Sequence, residues 1–146
     1  MNQAIELHDA CLVSITNHGD ALALWFAPVY LHRSSGRPGM DPGTGWTQSA
    51  KLTILGASTL APVTLPAEVS CGWLRIGEVV YHNVIPAEGT FDADIEFSAV
   101  LFAKDFTWRH EITIRGIQLT ITLEGEPAYV EEFLPKLGPA TQAGLL

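Results

Sequence analysis

The sequence predicts an all-β domain, an antiparallel β-sandwich or flattened β-barrel of roughly eight to ten strands with a short C-terminal helix at most. Three observations carry that expectation. Nearly every segment alternates apolar and polar side chains with a period of two, as strands with one buried face do. Glycine, proline, asparagine and aspartate interrupt the alternation at short intervals, where turns belong. Only PAYVEEFLPKL, residues 127–137, reads as helical, with Pro127 suited to a first helical turn. The chain of 146 residues, 47% hydrophobic and 16% charged, suits one globular domain, residues 1–146, with 139–146 as a loose tail.

Each strand is justified by its neighbours. ACLVSITNHGDALALWF, residues 10–26, is a hairpin turning at His18-Gly19, which sets Ile15 opposite Leu22 and Val13 opposite Leu24. WTQSAKLTIL, residues 46–55, points Ala50, Leu52 and Ile54 inward. TLAPVTLP, residues 59–66, is β-prone, but Pro62 and Pro66 demote it to an edge strand or an extended link. In CGWLRIGEVVYHNVIP, residues 71–86, a turn at Gly77-Glu78 pairs Ile76 with Val79 and Leu74 with Tyr81.

The segment from Phe91 to Glu126 reads as a three-stranded meander with turns at Lys104-Asp105 and Arg115-Gly116. That register pairs Ile95 with Ile114, Phe97 with Ile112, Ala99 with His110 and Leu101 with Trp108, all on one apolar face. The second turn continues the face through Ile117, Leu119, Ile121 and Leu123. Asp94 then lies across from Arg115 on the polar face. Val100 and Phe102 are apolar intruders on that polar face, so a homodimer contact through them is expected.

The chemistry-bearing residues are few. His8-Asp9 reads as a polar pair at a bend, because phosphohydrolase ligands would need helices this chain does not predict. His110 is placed on the apolar face between Ala99 and Ile121, as a sheet histidine more than a base. His82 lies near a strand end, and no HxH pair offers a cupin-type metal centre. Asp92, Asp94 and Glu96 share a polar face, as solvated charges more than as a carboxylate pair. Cys11 and Cys71 lack CxxC spacing and read as small buried hydrophobes. GxSxG, GK[ST] and GxGxxG motifs are missing, so neither metal nor cofactor is expected.

VYLHRSSGRPGMDPGTGWTQS, residues 29–49, breaks the pattern with consecutive turn signals and reads as a long loop. Arg33 and Arg37 concentrate two of the chain's 8 basic residues there and can pair with Asp41. Tyr30 and His32 at the entry and Trp46 at the exit add aromatic surface. Tyr30, His32, Arg33, Arg37, Asp41 and Trp46 are therefore the candidate ligand-binding residues, for a small anionic or sugar-like ligand or a protein partner. A net charge of -8 repels phosphate backbones and disfavours nucleic acid. No run approaches the ~18 apolar residues of a membrane span, and MNQAIELHDA has no signal-peptide layout, so a cytoplasmic protein is expected.

IELHDACLVSI (5–15), GTGW (43–46) and GIQLTITLEGEPAYVEEF (116–133) together resemble a family of small uncharacterised bacterial proteins. The resemblance spans most of the chain. It implies a bacterial, cytoplasmic protein and transfers neither an activity nor a functional residue. The leading functional expectation is a non-enzymatic binding or interaction module using the 33–46 loop. The alternatives are an acidic inhibitor or immunity-type protein masking a basic partner, and an enzyme with a His/carboxylate site built from His110, His82 or the Asp92, Asp94 and Glu96 face.

Overall fold

A computed structural model describes residues 1–57, 60 and 62–135, and among these the protein is all-β with no helix. The strands are β1 (Asn2–Glu6), β2 (Cys11–His18), β3 (Ala21–Ser34), β4 (Gly43–Leu55), β5 (Ala67–Ile76), β6 (Val79–His82), β7 (Val84–Pro86), β8 (Gly89–Phe102) and β9 (Arg109–Phe133). They form one sheet, and every pairing in it is antiparallel.

Six of the strands close a flattened ring in the order β2, β3, β4, β9, β8, β5 and back to β2. The seam is narrowest between β5 and β2, where Cys11 pairs with Glu68 and Leu12 with Ala67. Beyond the ring, the far half of β3 carries β1, and β1 carries β7. This five-strand arm therefore runs from the end of β9 through β4, β3 and β1 to β7. Ring and arm share one core, in which Ile5, Leu31 and Ile85 of the arm join Leu24, Leu52 and Phe97 of the ring. Phe26 and Phe97 meet edge-on across it at 6.5 Å, an arrangement worth about 0.5–1.5 kcal/mol beyond area burial.

Three strands change register at the same level, and this separates ring from arm. In β3 the pairing skips from Phe26 to Val29 past Ala27 and Pro28. Opposite, β9 skips between Glu124 and Ala128, while β4 advances only from Ser49 to Thr47. Proline has no amide hydrogen to offer a ladder, so Pro28 and Pro127 belong at such bulges. The Gln48 side-chain amide donates to the Gly125 carbonyl at 2.7 Å and bridges the gap.

The alternation located the strands well and some of their joins badly. The β5–β6 register is as expected, with Leu74 opposite Tyr81 and Ile76 opposite Val79. Ala50, Leu52 and Ile54 are buried as expected. Residues 60 and 62–66 lie outside the strands, as their prolines require. The β2–β3 hairpin turns one residue later than expected, so Ile15 faces Leu24 and Asn17 faces Leu22. A bulge between Leu12 and Ser14 then buries Leu12 and leaves Val13 exposed.

The expected meander does not form. Arg115-Gly116 is no turn, because β9 runs through it. A Cβ at Gly116 would overlap the Ile54 side chain and the Leu55 carbonyl, so glycine serves here for close approach of β4. The β8–β9 register is displaced by two residues, pairing Phe97 with Ile114 and Ala99 with Ile112. The displacement preserves the faces but moves Arg115 from Asp94 to Glu96, to which its Nε donates. It also puts His110 opposite Leu101 at the sheet's end, where the imidazole is exposed instead of packed between Ala99 and Ile121. The expected helix from Pro127 is strand as far as Phe133, since the free edge of β4 offers its backbone a ladder. The predicted tail, 139–146, lies outside the described residues.

Candidate functional site

Most of the expected 29–49 loop is two paired strands. Val29 faces Gln48, Tyr30 faces Thr47, Leu31 faces Trp46, His32 faces Gly45 and Arg33 faces Thr44. What remains is an eight-residue turn, 35–42. Asp41 closes it, but through its Oδ2 accepting from the Arg37 backbone amide at 2.6 Å and not through a guanidinium. Ser34 Oγ donates to the Pro42 carbonyl and accepts from the Gly36 amide, and Asn2 Nδ2 ties the turn to β1 through the Gly36 carbonyl.

Because side chains alternate along a strand, the six candidate residues divide. Tyr30 and His32 project to one face of the arm, Arg33 and Trp46 to the other, and Arg37 and Asp41 sit in the turn at its tip.

The Tyr30 face is a dense polar cluster. His32 is only 2% exposed, beneath the turn near Gly39 and edge-on to Phe133 at 4.7 Å. Its Nε2 lies 3.1 Å from Glu6 Oε1 on β1. Its Nδ1 is buried without a hydrogen-bond partner among the described residues. Tyr30 packs against that imidazole at 4.8 Å and donates its hydroxyl to Glu131 Oε1 at 3.1 Å. Burial first, then the bond to Glu131, pushes the Tyr30 phenol up to about 12, so it acts as a donor at neutral pH.

The opposite face is a half-buried strip, with Gln3, Arg33 and Trp46 at the margin of the core and Tyr129 exposed. The Arg33 guanidinium lies 4.6 Å over the Trp46 ring, and Gln3 Oε1 accepts from its Nε at 3.0 Å. Trp46 is fixed in turn by donating Nε1 to Thr44 Oγ1 at 2.8 Å while its ring packs on the core. Tyr129, on β9, meets Trp46 edge-on at 5.2 Å and is 55% exposed. Arg33 thus brings planar N–H donors beside Trp46, whose other aromatic neighbour is Tyr129. That combination can grip a carboxylate or sulfate and stack a sugar face.

Tyr129 and Gln3 were not legible as site residues. Tyr129 lies in the segment where Pro127 suits a first helical turn, and no motif sets Gln3 apart from its neighbours. The β-prone Tyr129 and Val130 were the available signal for a strand there.

The other expected positions stay apart from this strip. His8 and Asp9 form the bend between β1 and β2, where His8 Nδ1 donates to the Ser70 carbonyl at 2.6 Å. That bond chiefly, with Asp9 and Glu6 nearby, holds the His8 imidazole above its ordinary pKa. His82 and His110 are both exposed. Asp92 accepts from Gln118 Nε2 at 2.6 Å. Cys11 is half-buried, and Cys71 is exposed instead of buried, because it faces outward opposite Val100. Two cavities of about 290 and 310 Å³ are lined respectively by Ile15, Leu22 and Val63 with their neighbours, and by the threonines Thr90, Thr120 and Thr122 with theirs. Neither includes His82, His110 or the Asp92, Asp94 and Glu96 face. Among the described residues, no group of three His, Cys, Asp or Glu could hold a metal ion, and no helix is long and apolar enough to cross a membrane. A scan of protein-family models and searches of curated proteins and of solved structures give no match to this chain.

Proposed function

We propose that the protein is a non-enzymatic binding module whose contact surface is the Gln3, Arg33, Trp46 and Tyr129 strip, and whose ligand is an anionic sugar or sugar-like molecule. The observation that carries this reading is the Arg33 guanidinium 4.6 Å over the Trp46 ring, which the exposed Tyr129 meets edge-on. An arginine oriented by Gln3 loses less rotamer freedom on binding than a loose one, so its hydrogen bonds to a carboxylate cost less ordering. Arg37 in the turn supplies a second cation at the same end of the arm. The overall charge of -8 opposes long-range steering of anions, so recognition rests on short-range contacts.

The test is titration of the protein with oligogalacturonate, a sulfated glycan and a neutral oligosaccharide, read by tryptophan fluorescence and melting temperature. Charged saccharides are expected to quench the signal and raise Tm, and both effects are expected to vanish in Arg33→Gln and in Tyr129→Ala. The reading is wrong if no saccharide shifts Tm, or if Arg33→Gln binds as the natural chain does.

A further inference from the structure

We propose that the outward strip Phe106, Phe102, Val100, Cys71 and Trp73, on β8, β5 and the turn after β8, is the surface on which a second copy of this chain docks. The strip follows from register. Phe97, Ala99 and Leu101 point into the core, so Ser98, Val100 and Phe102 point out. Cys71 lies directly across from Val100 and Trp73 directly across from Ser98 on the neighbouring strand. Val100, Phe102 and Trp73 are half-buried and Cys71 is exposed.

Phe106 is the anchor. It is 77% exposed and stands edge-on to Phe102 with ring centres 6.2 Å apart. Its φ of 60° is left-handed, a region that a bulky aromatic residue occupies only against a cost of order 1–3 kcal/mol. The turn enforces that conformation. Asp105 Oδ1 accepts from both the amide and the hydroxyl of Thr107, and the Phe106 amide donates to the Ala103 carbonyl at 2.9 Å. A strained backbone that holds a large apolar ring in solvent is explained when the ring is covered in the working protein.

Charge selects the partner. Arg75, Lys104, Arg109 and Arg115 border the strip, half of the chain's 8 basic residues, whereas the acids beside them are Glu68, Glu96, Asp105 and Glu111, a quarter of its 16. Two of those acids are already paired, Glu111 with Arg109 at 3.1 Å and Glu96 with Arg115. The remainder of the surface carries the charge excess and repels a second copy, so this near-neutral, mixed-sign face is where two acidic chains can meet. A two-fold contact would set each Phe106 into the partner's strip.

Light scattering coupled to size exclusion over a wide concentration range tests this on the full chain. The natural protein is expected to show a dimer that dissociates on dilution. Phe106→Asn is expected to weaken the dimer about tenfold or more while keeping or raising Tm, because asparagine accepts a left-handed φ more readily. Val79→Asn, an exposed apolar position off the strip, is expected to leave the dimer intact. The proposal is overturned by a monomer at every concentration, by a Phe106→Asn protein that dimerises as the natural one does, or by equal loss in Val79→Asn. Scattering that shows only larger, open-ended species also overturns it, since a two-fold contact closes.

Discussion

Tyr30 Oη donates to Glu131 Oε1 at 3.1 Å and so joins β3 to β9 across the intervening β4. The bond is possible because the residue beneath it is Gly45, where any Cβ would overlap the phenol oxygen. Gly45→Ala should therefore displace the ring and cost about 1–3 kcal/mol, as overpacking does. Tyr30→Phe keeps the ring and removes only the bond, so about 0.5–1.5 kcal/mol is expected. Urea denaturation measures both. If Gly45→Ala costs no more than Tyr30→Phe, packing over the glycine is not what fixes the ring.

Glu6 is the only polar partner His32 has among the described residues, and His32 is buried. Glu6→Gln retains an amide oxygen as acceptor and should be mild. Glu6→Leu removes the acceptor and leaves both imidazole nitrogens unpaired, which should cost about 1–3 kcal/mol. Equal urea midpoints for the two variants would show that the bond contributes nothing.

His8 should make stability depend on pH. Its folded pKa is raised above the ordinary 6.5, because Ser70 accepts from the ring and Asp9 and Glu6 lie near. The native state therefore holds the proton more tightly than the unfolded chain does. The contribution is full below 6.5 and is lost as pH rises through the folded value. The side chain is 53% exposed, so the effect is small. His8→Gln should flatten the fall in Tm across that window, and a slope unchanged by the substitution would assign it to another group.

Much of the fold was legible because burial on one face imposes a period of two, and that period survives errors of register. A slip of two residues in β8–β9 left Phe97, Ala99, Ile112 and Ile114 inward and changed only their partners. Closure and continuity were not legible. The change of phase around Gly116 suits a hairpin turn and a bend within one strand equally, and only the approach of Ile54 and Leu55, distant in sequence, decides between them. Pro127 posed the same ambiguity, since a residue without an amide hydrogen fits a helix start or a bulge. The candidate residues were visible as an unusual stretch. Their division between two faces was hidden, because it depends on residues 29–33 being strand and not loop.

The aligned register breaks at Ala27-Pro28, Ser49 and Gly125–Pro127 have a dynamic consequence. They interrupt the hydrogen-bond ladder on three adjacent strands at one level, so opening can stop there instead of propagating. Native-state amide exchange should therefore resolve two protection classes. The amides of Leu22–Phe26 and Ala50–Ile54 should exchange by global unfolding, while those of Tyr30–Arg33 and Gly45–Thr47 should exchange earlier and together. A single class spanning both would mean that the breaks leave cooperativity whole. If the classes separate, the end of the molecule that carries Arg33, Trp46 and Tyr129 can loosen while the ring stays closed.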